Sequence, residues 1–105
     1  VVKKEHPDGP YEKKYANGIV QIRGEYKNNK KVGKWVAYYE NGAKQSESNY
    51  KGGKLHGKSA VFHPNGRSKY IGYYNNDLKD GQWIFFDEEG NEQQSVVFKK
   101  GQKVQ

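Results

Sequence analysis

Aromatic and β-branched residues cluster along the chain in short segments, separated by glycine and asparagine. The clearest segments are residues 34–39 and 82–86. Such clusters favour the pleated, half-buried surface of a β-strand. No segment keeps the 3.6-residue period of an amphipathic helix, and the many glycines, asparagines and tyrosines disfavour helix. The pattern predicts an all-β fold of short strands.

Three series of residues recur at an interval of 24 positions. They are Gly9, Gly33, Gly57 and Gly81; Gly18, Gly42, Gly66 and Gly90; and Tyr26, Tyr50, Tyr74 and Phe98. Three series in one register indicate four copies of one unit, at residues 9–32, 33–56, 57–80 and 81–105. An eight-residue leader, residues 1–8, precedes them, and we expect no further linker or domain among these 105 residues.

Each unit carries two turn signals. The first is Asn-Gly, as at Asn17-Gly18, or Glu89-Gly90 in the last unit, and we predict a type I′ hairpin turn there. The second falls at residues 28–29, 52–53, 76–77 and 100–101. Two turns per unit predict an elongated, twisted antiparallel meander of about eight strands, with a width of about 35 to 40 Å.

Five aromatic residues are candidates both for core ladders between units and for a protein-binding surface. Trp35 and Trp83 hold the third position of their units, whereas Tyr38, Phe62 and Phe86 hold the sixth. Strand alternation places positions three and six on opposite faces. Both faces therefore carry apolar surface, and we expect the sheet to curl over one of them.

Gly24 and Gly72 stand two residues before Tyr26 and Tyr74, respectively. Glycine in a strand interior leaves space for a ring to lie across the backbone. We therefore expect a neighbouring aromatic side chain to cover each of these glycines.

Composition limits the kinds of function. The chain has 105 residues, 32% of them hydrophobic, as expected for one small domain. No apolar run approaches the roughly 20 residues of a membrane-spanning helix. The absence of cysteine excludes disulfides, thiolate zinc sites and cysteine nucleophiles, and we expect no cofactor.

The net charge of +7 favours acidic partners and is graded along the chain, at +4, +2, +2 and −1 for the four units. Candidate anion-binding residues form a predicted lysine rim: Lys27, Lys30, Lys31, Lys34, Lys51, Lys54 and Lys58. This rim is suited to phosphates of lipid or nucleic acid, or it solubilises turns and protects strand edges. Only two arginines are present, so we expect no sequence-specific recognition of nucleic acid.

One match to a nucleotide-binding motif is interpreted as coincidence. Residues 52–59, with Gly52, Gly57, Lys58 and Ser59 at the defining positions, satisfy the P-loop pattern. A P-loop must open a helix, whose N-terminus binds the phosphates. Residues 60–63 favour a strand instead, so the sequence predicts no nucleotide site.

Catalytic and metal-binding patterns are also missing from the sequence. His6, His56 and His63 have no paired spacing, and residues 87–89 form an acidic run without the further ligands of a calcium loop. No serine lies in a G-x-S-x-G motif. We predict neither a catalytic residue nor a metal site.

The second unit and the start of the third carry a recognisable set of residues: residues 33–35, Tyr38-Tyr39, Asn41-Gly42, Tyr50 and residues 53–57. This set resembles the MORN (membrane occupation and recognition nexus) repeat, and more closely its bacterial variant. The resemblance extends over nearly the whole chain. It implies a sheet of stacked hairpins without catalytic residues, used for protein contacts, self-association or anionic lipid surfaces. Some bacterial members are described as antitoxins, and the resemblance leaves that role open.

These observations lead to two functional hypotheses. The first is a non-enzymatic interaction or scaffold module that binds a protein partner, or itself, through an aromatic sheet face or a sheet edge. The alternative is an electrostatic adaptor for anionic phospholipid or another polyanion that uses the lysine rim. The N-terminal valine and the absence of cysteine favour an exported, periplasmic protein and leave a cytoplasmic location open.

Overall fold

The computed structural model describes residues 5–104, so residues 1–4 of the predicted leader and residue 105 lie outside the described part. Residues 5–104 contain no helix and form eleven strands. The strands are β1 (Gly9–Lys14), β2 (Val20–Lys27), β3 (Lys30–Tyr38), β4 (Lys44–Lys51), β5 (Lys54–Leu55), β6 (Gly57–Phe62), β7 (Ser68–Asn75), β8 (Leu78–Lys79), β9 (Gly81–Phe86), β10 (Glu92–Lys99) and β11 (Gln102–Val104).

All strands belong to one open antiparallel sheet with the order β1-β2-β3-β4-β6-β7-β9-β10-β11. The short strands β5 and β8 pair with β4 and β7 and lead into β6 and β9. In β3 the same stretch is continuous, and after the second turn of the last unit β11 pairs with β10. With β5, β8 and β11, eleven strands appear where about eight were predicted. The molecule measures 50 × 35 × 14 Å, so it is one sheet thick. The predicted all-β meander is confirmed.

The prediction of type I′ turns at Asn-Gly is wrong. Gly18 N–H donates to Tyr15 O at 2.9 Å, and of the two residues only Gly18 has a positive φ, of 88°. This is a type I turn followed by a left-handed glycine, the usual three-residue hairpin loop. The Asn17 side chain stabilises it by accepting a hydrogen bond from Ile19 N–H at 3.0 Å.

The type I′ geometry occurs at the second turn of the repeat instead. Asn28 and Asn29 have φ of 53° and 62°, and Asn76 and Asp77 have φ of 48° and 72°. Both central residues of a type I′ turn require such values, which asparagine and aspartate tolerate.

Trp35 and Trp83 each lie across a glycine of the neighbouring strand, as predicted. A Cβ atom built on Gly24 would be 2.0 Å from Trp35 Cδ2, and one on Gly72 would be 2.1 Å from Trp83 Cδ2. The close approach buries the two indoles to 4% and 2% exposure. These residues are the largest components of the core.

Each tryptophan is the centre of an aromatic cluster closed by a lysine. Trp35 contacts Tyr26 and Tyr50, and Lys31 Nζ lies 4.8 Å above its ring. The same arrangement recurs around Trp83, with the neighbours Tyr74, Phe98 and Lys79. Cation–π and edge-to-face contacts add to the stabilisation from burial.

A row of side chains joins successive hairpins beside the Asn-Gly turns. Tyr15 Oη donates to Tyr38 O at 2.6 Å, and Tyr39 Oη donates to Phe62 O at 2.8 Å. His63 takes the equivalent place in the third unit, with Nε2 3.1 Å from the Phe86 carbonyl oxygen. These bonds satisfy main-chain carbonyls where strands diverge into turns.

Candidate functional site

The five candidate aromatic residues do not form one surface. Trp35 lies on one side of the sheet, the Trp35 face, with Tyr26 and Tyr50. Phe62 lies on the other side, the Phe62 face, because it alternates with Val61, which shares the side of Ser59 and Gly72. Tyr38 and Phe86 lie on the Phe62 face by the same alternation along β3 and β9.

Burial separates the five residues in the same way. Trp35 and Trp83 are enclosed by their clusters and are almost inaccessible. Tyr38, Phe62 and Phe86 remain half-buried. The tryptophans therefore form the core, and the accessible candidates are the three residues of the Phe62 face.

Small and branched apolar residues form the floor of the Phe62 face. Ala60 pairs with Ile71 across β6 and β7, and Ile71 pairs with Ile84 across β7 and β9. A depression of about 310 Å³ lies over β3, β4, β6 and β7, and is lined by Ala60, Phe62, Ser68 and Ile71 together with Lys34, Glu47, Asn49 and Lys58. The depression therefore has apolar residues on the β6 and β7 side and charged residues beside them.

Two exposed residues extend this apolar surface, and the sequence analysis missed them. Tyr73 is 48% exposed and pairs with Lys58, and Val97 is 41% exposed and pairs with Gln82. Both pairings place the side chains on the Phe62 face. Their position in the strand alternation was available, but nothing in one sequence distinguished an uncovered apolar residue from a covered one.

Charged side chains occupy one side of the depression. Glu47 accepts a hydrogen bond from Lys44 Nζ at 2.6 Å and lies 3.6 Å from Lys34 Nζ. The bond from Lys44 lowers the pKa of Glu47, although partial burial acts in the opposite direction. Lys58 also lines the depression and forms no ion pair within residues 5–104. The local balance is positive.

The Glu47 ion pairs predict a component of acid sensitivity. A carboxylate whose folded-state pKa is lowered contributes stability above its ordinary pKa, here 4.5, and loses that contribution as the pH falls through the lowered value. Glu47→Gln should reduce the drop in melting temperature between pH 7 and about pH 3. Circular dichroism at each pH measures this. Glu25→Gln, at an exposed position, is the control and should leave the drop unchanged; equal profiles for all three proteins would contradict the role of Glu47.

The predicted lysine rim is divided between the two faces. Lys30 and Lys54 border an open depression beside the second turns, together with Lys31, whose Nζ lies over Trp35 and Tyr50. Lys34 and Lys58 point to the Phe62 face. Lys27 and Lys51 stand opposite Lys30 and Lys54 across the turns. The seven side chains are therefore not one continuous cationic surface, because neighbouring strand positions alternate between faces.

The residues of the P-loop match lie on a turn and a strand. Gly52 and Gly53 form the second turn of their unit, with φ of 56° and 88°, and Gly57 begins β6. Lys58 and Ser59 are successive strand residues on opposite faces, and Ser59 is buried. The two side chains cannot converge on one phosphate group.

Residues 5–104 include no group of three acidic or histidine side chains that could hold a metal ion. Within the same residues, no helix is long and apolar enough to cross a membrane.

Comparison with protein-family models places these features in context. The model described as the MORN repeat variant matches residues 7–28, 31–51 and 55–76, more than half of the chain. No curated protein sequence matches the chain. The fourth hairpin, β9 and β10, lies outside the matched residues, although its strands pair in the same antiparallel manner.

Proposed function

Because the chain belongs to the MORN repeat variant family, whose members are generally associated with protein or membrane interaction, we propose that it is a protein-interaction module. The family is typically non-catalytic, and we propose that this chain is not an enzyme. Its binding surface is the Phe62 face, with Tyr38, Phe62 and Phe86 as contact residues.

One observation carries this proposal: the Phe62 face leaves apolar side chains accessible beside its charged residues, whereas the tryptophans are covered. Tyr73 and Val97 are both more than 40% exposed on that face. Exposed apolar patches rimmed by polar residues mark interaction sites on soluble proteins. The lysines beside the depression favour carboxylates at the edge of the contact.

The second candidate, an adaptor for anionic phospholipid, is supported by the open depression that contains Lys30, Lys31 and Lys54. Two features weaken this candidate. Glu5 and Asp77 border the same depression, and Lys31 already lies over two aromatic rings. A membrane surface would meet mixed charges at this place.

Hydroxyl-radical footprinting tests the two surfaces in one experiment. The tagged chain is labelled at low concentration in buffer, in its native lysate, and with phosphatidylserine vesicles. We expect Tyr38, Phe62 and Tyr73 to lose reactivity in the lysate, while Tyr26 and Tyr50 on the Trp35 face keep theirs. Protection should persist at 0.5 M salt, where the Debye length is roughly 4 Å and purely electrostatic contacts are screened.

A matched pair of variants controls this experiment. Phe62→Glu should abolish the protection at Tyr38 and Tyr73, whereas Lys54→Glu should preserve it. If protection instead appears around Tyr26 and Tyr50 with vesicles, and disappears with Lys54→Glu, the adaptor replaces the interaction module. Absence of protection in every condition would overturn both functions.

A further inference from the structure

We propose that the Phe62 face binds a second copy of this chain, so that two sheets pack face to face with the first strand of each over the last strands of the other. This inference rests on the proposed function, because it names the partner of the same surface.

The exposed area of the chain favours such a partner. Its accessible surface is 7318 Å² for 12.1 kDa, whereas a compact monomer of this mass exposes about 6,000 Å². The excess is roughly 1,300 Å² over the two faces and the edges of the single layer, and a stable interface takes about 800 Å² from each partner. A single layer of 50 × 35 Å has enough area on one face for that contact.

The apolar residues of the Phe62 face suit sheet-on-sheet packing. Val36 and Ala60, on either side of Glu47, are already buried between their neighbours, and Ile71 and Ile84 continue the row from Ala60. Packed sheets lie about 10 Å apart and interdigitate side chains from their inner faces. Identical chains usually meet about a twofold axis, which brings each patch against itself.

Charge selects the direction of the second copy. Lys14 ends β1 on the Phe62 face, two residues after Glu12, with which it forms an ion pair. Glu92 begins β10 at the other end of the sheet and pairs with Phe86, so it lies on the same face. A twofold axis parallel to the strands places Lys14 of one copy over Glu92 of the other, twice in each dimer.

The gradient of charge along the chain agrees with this direction. The first unit has a net charge of +4 and the last has −1. In the proposed dimer the first unit of each copy lies over the last unit of the other, which we call antiparallel stacking, so the most basic unit meets the acidic unit. In parallel stacking the first units would lie over each other, and like charges would meet. Opposite charges across an interface establish register and suppress the wrong arrangement.

Sedimentation velocity of the purified chain over a range of concentrations tests the dimer. We expect an equilibrium between monomer and dimer, with no larger species. Phe62→Glu, which places a charge on the face at the end of the central strand β6, should weaken the dimer by about 100-fold. Lys54→Glu, beside the second turn and at the opposite end of the strands from Phe62, should leave the dissociation constant unchanged. A folded spectrum by circular dichroism shows that each variant is comparable.

Mixing two charge variants tests the antiparallel direction. Lys14→Glu and Glu92→Lys each create like charges at both contacts and should weaken their own dimers by about 10-fold. An equal mixture of the two should form a heterodimer, because every contact then joins opposite charges. The dissociation constant of this heterodimer should lie within about threefold of that of the wild-type dimer.

Three results would overturn the inference. A chain that stays monomeric at every concentration removes the dimer but leaves the proposed function open to its footprinting test. Growth beyond two chains that Phe62→Glu does not affect indicates pairing of strand edges. A dimer that Lys14→Glu strengthens indicates parallel stacking. Loss of lysate protection at the Phe62 face would instead remove the proposed function itself.

Discussion

Trp83→Ala is expected to lower the free energy of unfolding by about 3 to 5 kcal/mol. Trp83 is 2% exposed, and its ring contacts Tyr70, Tyr74 and Phe98 at centroid distances between 5.1 and 6.0 Å. Its indole N–H also donates to Tyr73 O at 3.1 Å. A sheet one layer thick has no second layer to fill the space that the ring leaves. The loss is therefore a large part of the total stability, which for small domains is about 5 to 15 kcal/mol.

Urea unfolding followed by circular dichroism, at one protein concentration for all variants, measures this change. Ile19→Ala is the control, because it removes a large apolar side chain that is 36% exposed at a turn. The control should cost less than about 1 kcal/mol. A Trp83→Ala protein as stable as this control would show that the cluster is not the core.

Gly72→Ala is expected to cost about 3 kcal/mol although it adds a single methyl group. The new Cβ would lie 2.1 to 2.5 Å from three atoms of the Trp83 ring. The ring cannot move away easily, because Tyr70, Tyr74 and Phe98 surround it. Gly72 has no positive φ, so alanine meets no backbone strain at this position. The predicted loss comes from the collision alone.

The direction of the change in stability distinguishes a collision at Gly72 from free space there. Without the collision, replacing glycine by alanine in a strand would stabilise the protein by about 0.4 to 1 kcal/mol. Ser48→Ala is the matched control, because Ser48 holds the equivalent position two strands earlier and should change stability little. In a Trp83→Val background, Gly72→Ala should cost less than about 1 kcal/mol. A stabilising Gly72→Ala in the wild-type background would contradict the observed packing.

Much of the fold was predictable because each unit repeats its own local signals. Glycine and asparagine mark both turns, and the segments between them have the composition of strands. The turn types were not predictable from the same residues. Asn-Gly suits a type I′ turn, but the Asn17 side chain bonds to Ile19 N–H and supports a type I turn instead. The strands pair differently around a three-residue loop and around a two-residue loop. The Asn-Gly dipeptide alone does not specify which of the two loops forms.

The candidate site was predictable only in part. Alternation correctly separated the tryptophans from Tyr38 and Phe62, yet composition gave no reason to rank one face above the other. Side-chain exposure decided between them, since each tryptophan lies over a glycine and under a lysine. Tyr73 and Val97 became candidates for the same reason, because 48% and 41% of their surfaces remain exposed.

The sequence by itself determined the all-β class, the 24-residue interval and the positions of the turns, because these depend on the backbone preferences of neighbouring residues. It also marked Gly24 and Gly72 as places for a ring. Only the tertiary structure decided which ring covers each glycine, how the lysines divide between faces, and which apolar surface remains open. Those properties depend on contacts between strands, and the register of a sheet determines them only after the hairpins have paired.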